Sequence, residues 1–87
     1  MIGFVRSCSE ALAPSIRINC LAPGLIETDM ISTLGPEKRE AMIEATPIPR
    51  TGTVEEMANV VHFLLSEKAS FVTGQTYVAD GGRVTLP

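Results

Sequence analysis

The sequence contains no tryptophan, one tyrosine, one histidine and two cysteines among its 87 residues. Small secreted domains usually rely on about two to four disulfides, and Cys8 and Cys20 supply at most one. The two cysteines form no CxxC pair, and His62 alone cannot complete a zinc ligand set. We therefore expect free thiols, a cytoplasmic location and no metal site.

Positive charge is also scarce, with 7 Lys and Arg residues against 10 Asp and Glu residues and a net charge of −3. Because surfaces that bind phosphate backbones are usually basic, this balance excludes a nucleic-acid partner. No apolar run approaches the ~18 residues of a membrane helix, and Arg6 and Glu10 interrupt the one stretch that could pass for a signal peptide. With 45% hydrophobic residues, the chain has the composition of one small globular unit.

Hydrophobic spacing and capping residues predict three helices. The first covers residues 2–12 and stops before Pro14. A second, over residues 36–45, begins with Pro36, which is favoured at the first helical position. The third follows a capping box formed by Thr53 and Glu56. Its apolar stripe comprises Val54, Met57, Ala58, Val61, Leu64 and Leu65.

Two strands are predicted, over residues 16–22 and residues 75–79, each followed by a glycine-containing turn. Residues 25–34 show no period and are expected to form a loop. A strand, a helical connection and a second strand make a βαβ unit, in which the strands pair in parallel through a right-handed crossover. The fold class is therefore α/β, with too few strands to form a whole sheet.

Few residues are placed for chemistry. The sequence has no P-loop, GxGxxG or HExxH motif, and His62 lies within a helix, where a lone histidine is usually packed or solvated. The carboxylates at 37–40 and 55–56 lie in first helical turns, where the helix dipole favours them. One constellation remains, residues 22–30 (APGLIETDM), at the strand end where open α/β sheets bind ligands. On the residues alone, a binding loop and an ordinary loop are equally expected.

Three motifs resemble segments of the short-chain dehydrogenase/reductase family. Residues 16–28 (IRINCLAPGLIET) resemble the strand and turn that follow the catalytic helix of the family. Residues 49–58 (PRTGTVEEMA) resemble the start of its last large helix, and residues 71–82 (FVTGQTYVADGG) resemble its final strand. The motifs occur in the family's order, and residues 23–30 are most similar to the 3-oxoacyl-[acyl-carrier-protein] reductase branch.

The resemblance implies that residues 1–87 are the C-terminal segment of a single NAD(P)-binding domain with a doubly wound, Rossmann-type parallel sheet, incomplete as it stands. It implies cofactor binding by Pro23 and Gly24, which pack by the nicotinamide, and by Ile26, whose backbone bonds to the carboxamide. It also implies that Thr28 holds the carboxamide or the cofactor phosphates, with NADP favoured over NAD. The loop after Thr28 and the helix at 35–45 would form the substrate lid.

The family's YxxxK motif, glycine-rich phosphate loop and catalytic serine have no counterpart here, and Tyr77 lacks a lysine four residues later. No catalytic residue is therefore assigned, and the 87-residue chain alone is expected to be inactive. The resemblance implies part of an NAD(P)(H)-dependent oxidoreductase that transfers hydride between nicotinamide and a carbonyl or secondary alcohol, with a small molecule or acyl thioester of fatty acid biosynthesis as substrate.

The partners implied by the resemblance are a missing N-terminal segment or a full-length homologous subunit in an oligomer. No nucleic acid and no membrane are expected. The alternative function is a non-catalytic, truncated interaction module that docks on a full-length relative. A third reading is an α/β fragment without activity.

Overall fold

The computed structural model describes residues 2–83. The elements in chain order are α1 (Ile2–Leu12), β1 (Cys20–Pro23), α2 (Asp29–Ser32), α3 (Pro36–Glu44), α4 (Val54–Leu65), a 3₁₀ turn (Glu67–Ala69) and β2 (Thr76–Ala79). The three predicted helices and both strands are confirmed as elements. The capping box is confirmed as well, with the hydroxyl of Thr53 accepting from the N–H of Glu56 at 3.0 Å.

The two strands pair in parallel, as predicted, with Cys20 opposite Thr76 and Pro23 opposite Ala79. The connection between them carries α2, α3 and α4, so that the described chain forms one βαβ unit preceded by α1. Parallel sheets are normally covered by helices on both faces. This two-stranded sheet is an incomplete α/β fold.

The strand predicted over residues 16–22 is wrong in its first half, because β1 begins at Cys20. Ahead of that residue, one hydrogen bond to a side chain and one between backbone groups replace the ladder. The N–H of Ile18 donates to the hydroxyl oxygen of Thr73 (3.1 Å), and the carbonyl of Ile18 accepts from the N–H of Gly74 (2.7 Å). These bonds already satisfy the backbone N–H and C=O of Ile18. The regular ladder therefore starts only at Cys20, which has a backbone partner directly opposite.

Two side chains of the same segment bind the end of α4 and the chain leading to β2. The side-chain amide of Asn19 accepts from the N–H of Gln75 at 3.1 Å. The guanidinium of Arg17 donates to three carbonyl oxygens, those of Leu64 (2.9 Å), Ser66 (3.3 Å) and Val72 (3.2 Å). The last carbonyls of a helix lack intrahelical partners, and a cation is favoured there. Arg17 therefore closes the C-terminal end of α4 against the start of β1.

Residues 25–34 are not the structureless loop that was predicted, because they contain α2. The carbonyl of Thr28 accepts from the N–H groups of Ile31 (3.0 Å) and Ser32 (3.4 Å). A Thr-Asp pair ahead of a short turn is a helix-start signal. The lack of any hydrophobic period hid it, since α2 buries no residue.

The apolar core of the described chain is thin. The apolar residues it buries are Val5, Leu64 and Ala69. Of the predicted stripe on α4, Leu64 is buried, whereas Leu65 is 78% exposed, and Phe71 just beyond the 3₁₀ turn is 102% exposed. The accessible surface is 6442 Å², against about 5,000 Å² for a compact monomer of this mass. Apolar side chains on α1 and α4 are therefore left exposed to solvent.

The first prediction concerns the isolated chain, which should be molten or self-associated because its exposed apolar surface exceeds what a small monomer carries. Size-exclusion chromatography with light scattering and amide hydrogen exchange measure this. The variant Leu65→Glu/Phe71→Glu should reduce association, whereas Lys68→Glu, a charge change at an exposed polar residue between them, should not. A monodisperse species of 9.3 kDa with strongly protected amides at residues 20–22 would contradict the prediction.

Candidate functional site

The site lies where the two parallel strands end side by side. Past the last strand pair, the N–H of Gly24 donates to the carbonyl of Ala79 at 3.0 Å. A Cβ added to Gly24 would lie 2.6 Å from the Cα of Asp80, which is closer than non-bonded atoms allow. Glycine is therefore needed here for the approach of one backbone to another. Pro23, which precedes it, is exposed at the end of β1.

The chain then forms a second parallel contact, a β-bridge between Ile26 and Gly52. Its two hydrogen bonds run from the N–H of Gly52 to the carbonyl of Leu25 and from the N–H of Glu27 to the carbonyl of Gly52, both at 2.9 Å. The bonds of a parallel pair come from the residues on either side of Ile26. Its own N–H and C=O therefore face away from Gly52.

Neither backbone group of Ile26 has a hydrogen-bond partner within residues 2–83. The residue is half-buried, so these groups lie close to the end of β1 without being sealed off from a ligand. Backbone polar groups near a protein interior are almost always paired. The donor and the acceptor of Ile26 therefore form a ready-made binding position for a group that both donates and accepts, such as a carboxamide.

Thr28 stands two residues further on and is exposed. It occupies the position before α2 with extended backbone, φ −139° and ψ 172°, and its side chain makes no capping hydrogen bond. Its hydroxyl has no partner elsewhere in the described part of the chain. The four residues predicted for cofactor binding, Pro23, Gly24, Ile26 and Thr28, thus lie in one stretch that starts at the last residue of β1. Which of them contacts a cofactor stays a prediction.

A cavity of about 360 Å³ opens beside this stretch, between α4 and the turn after β2. Leu25, Ile26, Met57 and Val60 supply its apolar lining, and Arg50 and Asn59 lie among its polar residues. A second groove, of about 640 Å³, runs between α2 and α3 and is lined by Ile31, Leu34, Ile43 and Pro49 among others. Residues of the segment that follows β1 therefore line two open concave surfaces.

An exposed ion pair, Arg50 with Glu56, lies among the residues that line the cavity. Arg50 donates to both carboxylate oxygens of Glu56, at 2.8 and 3.0 Å, and the N–H of Thr53 donates to the same carboxylate at 3.0 Å. The hydrogen bonds from Arg50 and then from Thr53 lower the pKa of Glu56 from 4.5 to about 2. This carboxylate therefore completes the capping box, and through Arg50 it also holds the segment before α4 in place.

One cluster has no counterpart among the sequence predictions. A single carboxylate oxygen of Glu27, Oε2, accepts from Arg39 of α3 at 2.6 Å and from the hydroxyl of Thr51 at 2.8 Å. These hydrogen bonds, Thr51 first and then Arg39, lower the pKa of Glu27. The partners lie 12 and 24 residues away in the chain, so no local pattern points to them.

Other candidate groups play no part in this arrangement. His62 is exposed on α4, and Cys8 and Cys20 are free thiols. Among residues 2–83, no group of three or more His, Cys, Asp or Glu side chains could hold a metal ion. Within the same residues, no helix has the length and apolarity to cross a membrane.

Comparison with known proteins gives one consistent result. A family model described as enoyl-(acyl carrier protein) reductase matches residues 1–83. Over 83 residues, the chain is 46% identical to 3-oxoacyl-[acyl-carrier-protein] reductase from Chlamydia pneumoniae. The matched region covers 94% of this chain and 34% of that protein. The chain therefore spans about a third of the length of this relative.

Solved structures agree with the sequence match. A crystal structure of 3-oxoacyl-[acyl-carrier protein] reductase from Brucella melitensis superposes with a TM-score of 0.92 at 41% identity, over 97% of this chain and 32% of that one. A short-chain dehydrogenase/reductase from the same organism, described as glucose/ribitol dehydrogenase, gives a TM-score of 0.90 at 40% identity, over 98% and 35%. The arrangement of helices and strands described above is thus that of a segment of larger enzymes.

The second prediction concerns pH. Because the folded-state pKa of Glu56 is about 2 and its ordinary value is 4.5, the unfolded chain binds the proton more readily. The stability that this carboxylate gives to the start of α4 should be full above about pH 5 and should be lost as pH falls from about 4.5 to about 2.

NMR titration of the Glu56 side-chain carboxyl carbon measures this directly in a chimera in which residues 1–83 replace the matching third of the Chlamydia pneumoniae reductase. Arg50→Gln should raise the pKa towards 4.5, whereas Lys68→Gln, beyond the opposite end of α4, should leave it unchanged. A titration midpoint near 4.5 in the unsubstituted, folded chimera would contradict the account.

Proposed function

This chain belongs to the short-chain dehydrogenase/reductase family, and we propose that it supplies part of the nicotinamide pocket and the substrate lid of an oxidoreductase. The family consists of NAD(P)-dependent oxidoreductases. In the complete enzyme, residues 1–87 are the C-terminal segment of a single Rossmann-type domain. The remainder of that domain binds the phosphates of the cofactor and carries the proton relay.

The observation that carries this proposal is the unpaired backbone of Ile26. A nicotinamide carboxamide has one C=O and one NH₂ group, and Ile26 offers one N–H and one C=O that face away from their own β-bridge. Two hydrogen bonds to these groups would fix the ring about its long axis, which selects the face presented to the substrate. The hydroxyl of Thr28 is free to add a third contact.

The cofactor fits the residues present. The reduced form of NADP or NAD, with NADP favoured by the resemblance, would supply the hydride. Ile26 and Thr28 would bind and orient it, and Pro23 would border the ring from the exposed end of β1. Gly24 acts indirectly, because its lack of a side chain lets the turn lie directly against Asp80.

The substrate proposed is a 3-oxoacyl thioester. The names of the Chlamydia and Brucella reductases support this choice, as does the apolar groove between α2 and α3, which suits an acyl chain. The helix α3 buries none of its residues, as expected for a lid that packs on substrate rather than on the protein. Reduction of the ketone would yield the corresponding secondary alcohol.

A second function is favoured by the bare apolar residues of α1 and α4, such as Phe4 at 66% exposure. A non-catalytic module that docks on a full-length relative would bury the same faces. The two functions differ in one respect, since only the first requires an intact nicotinamide pocket.

The third prediction is that the 87-residue chain alone oxidises neither NADH nor NADPH with a 3-oxoacyl substrate, because general acid catalysis typically contributes about 10²–10⁴-fold and the sequence has no YxxxK motif to supply it. A chimera in which residues 1–83 replace the matching third of the Chlamydia pneumoniae reductase should be active. Protein-dependent turnover by the isolated chain, or a folded chimera without activity, would overturn the proposal.

The fourth prediction tests the pocket within that chimera. Thr28→Val should raise the dissociation constant of the reduced cofactor about 2- to 12-fold, since a lost hydrogen bond costs about 0.5–1.5 kcal/mol. The control His62→Gln, at an exposed position of α4, should leave binding and turnover unchanged. Loss of turnover in His62→Gln with no effect of Thr28→Val would show that the site is assigned wrongly.

A further inference from the structure

The position of α3 is not set by a buried apolar face. None of its residues is buried, and Arg39, Met42 and Ile43 are half-buried along one side. Arg39 and Ile43 line the groove of about 640 Å³ between α2 and α3. Something other than core packing must therefore hold the helix above this groove.

A single hydrogen bond ties α3 to the rest of the described chain. Apart from bonds to its own flanking residues 35, 45 and 46, the side chains and backbone of α3 form one hydrogen bond, from Arg39 to Oε2 of Glu27 at 2.6 Å. The acceptor oxygen is shared with Thr51, whose hydroxyl donates at 2.8 Å. Glu27 thus joins α3 to the segment that leads into α4.

The same residue is fixed by its backbone. The N–H of Glu27 donates to the carbonyl of Gly52, next to Thr51. The main chain and the side chain of Glu27 are therefore both hydrogen-bonded to residues 51–52. This segment lies on the side of the bridge away from the free backbone groups of Ile26. The carboxylate that these bonds hold in place also accepts the hydrogen bond from Arg39 of α3.

We propose that Glu27 is a positioning residue, which holds the lid helix α3 through Arg39 in a set relation to the Ile26 backbone and the nicotinamide that it binds. This inference rests on the proposed function, because it takes α3 as the lid and the Ile26 segment as the cofactor pocket. Glu27 touches neither substrate nor cofactor. It acts by setting how often α3 lies in the closed position over the groove.

The strength of the contact suits a lid that must open. The side chains of Arg39 and Glu27 are 38% and 50% exposed, and exposed ion pairs are typically worth little and are screened by salt. The second hydrogen bond, from Thr51, holds the carboxylate in place so that less side-chain freedom is lost on pairing. A contact of this kind biases the closed position without locking it.

The test uses the chimeric enzyme with Glu27→Ala and, as a control, Lys38→Ala, which removes an exposed charged side chain from α3 outside the cluster and the groove. In Glu27→Ala, the KM for the 3-oxoacyl substrate should rise about 2- to 5-fold, the range expected for an exposed ion pair. The dissociation constant of the cofactor should change less than 2-fold, because the backbone bridge to Gly52 remains. Adding Arg39→Ala to Glu27→Ala should not accelerate amide exchange over residues 36–44 any further.

Amide hydrogen exchange gives a readout that does not depend on activity. Exchange over residues 36–44 should accelerate about 2- to 5-fold in Glu27→Ala but not in Lys38→Ala, while residues 20–22 stay unchanged. Raising the salt concentration should shrink this difference, since it weakens only the unsubstituted pair. Unchanged exchange and unchanged KM in Glu27→Ala would overturn the proposal. If the unsubstituted chimera is inactive, the proposed function fails, and the exchange rates still decide whether Glu27 holds α3.

Discussion

The described structure depends on a small set of hydrogen bonds made by side chains just ahead of β1. Arg17 binds the carbonyls at the C-terminal end of α4, and Asn19 bonds to the chain that leads into β2. These contacts span 47 to 56 residues of sequence. They bring the two ends of the βαβ unit together where the apolar core is too thin to do so, and they set the register in which the strands pair.

The geometry of the candidate site follows from that register. With Pro23 opposite Ala79, the chain leaves the sheet against Asp80, where only glycine fits at position 24. The next residues then pair with Gly52, which turns the backbone groups of Ile26 outward. A short parallel bridge thus supplies a donor and an acceptor at the strand end, the place where open α/β sheets bind ligands. Glu27, on the same bridge, links this position to α3.

Much of this could be predicted from the sequence, and the parts that could not share a cause. The capping box of Thr53 and Glu56 is a local pattern, and it predicted α4 correctly. The place of residues 22–30 after a strand predicts a binding loop and an ordinary loop equally, and only the resemblance to the family implies cofactor binding there. The start of β1 was misjudged because alternation of apolar residues does not reveal that Thr73 supplies a side-chain partner. The Glu27 cluster was missed because its members come from three separate segments and meet only in the fold. Whether a loop is held in one position depends on contacts between residues that are far apart in the sequence. The hydrophobic periodicity of the sequence carries no information on such contacts.

The central claim is that the backbone of Ile26 binds the nicotinamide carboxamide. A crystal structure of the chimeric enzyme with reduced NADP tests it most directly. The account predicts carboxamide atoms within about 2.7–3.2 Å of both the N–H nitrogen and the carbonyl oxygen of Ile26. A carboxamide bound to another segment, with the backbone groups of Ile26 facing solvent, would contradict it.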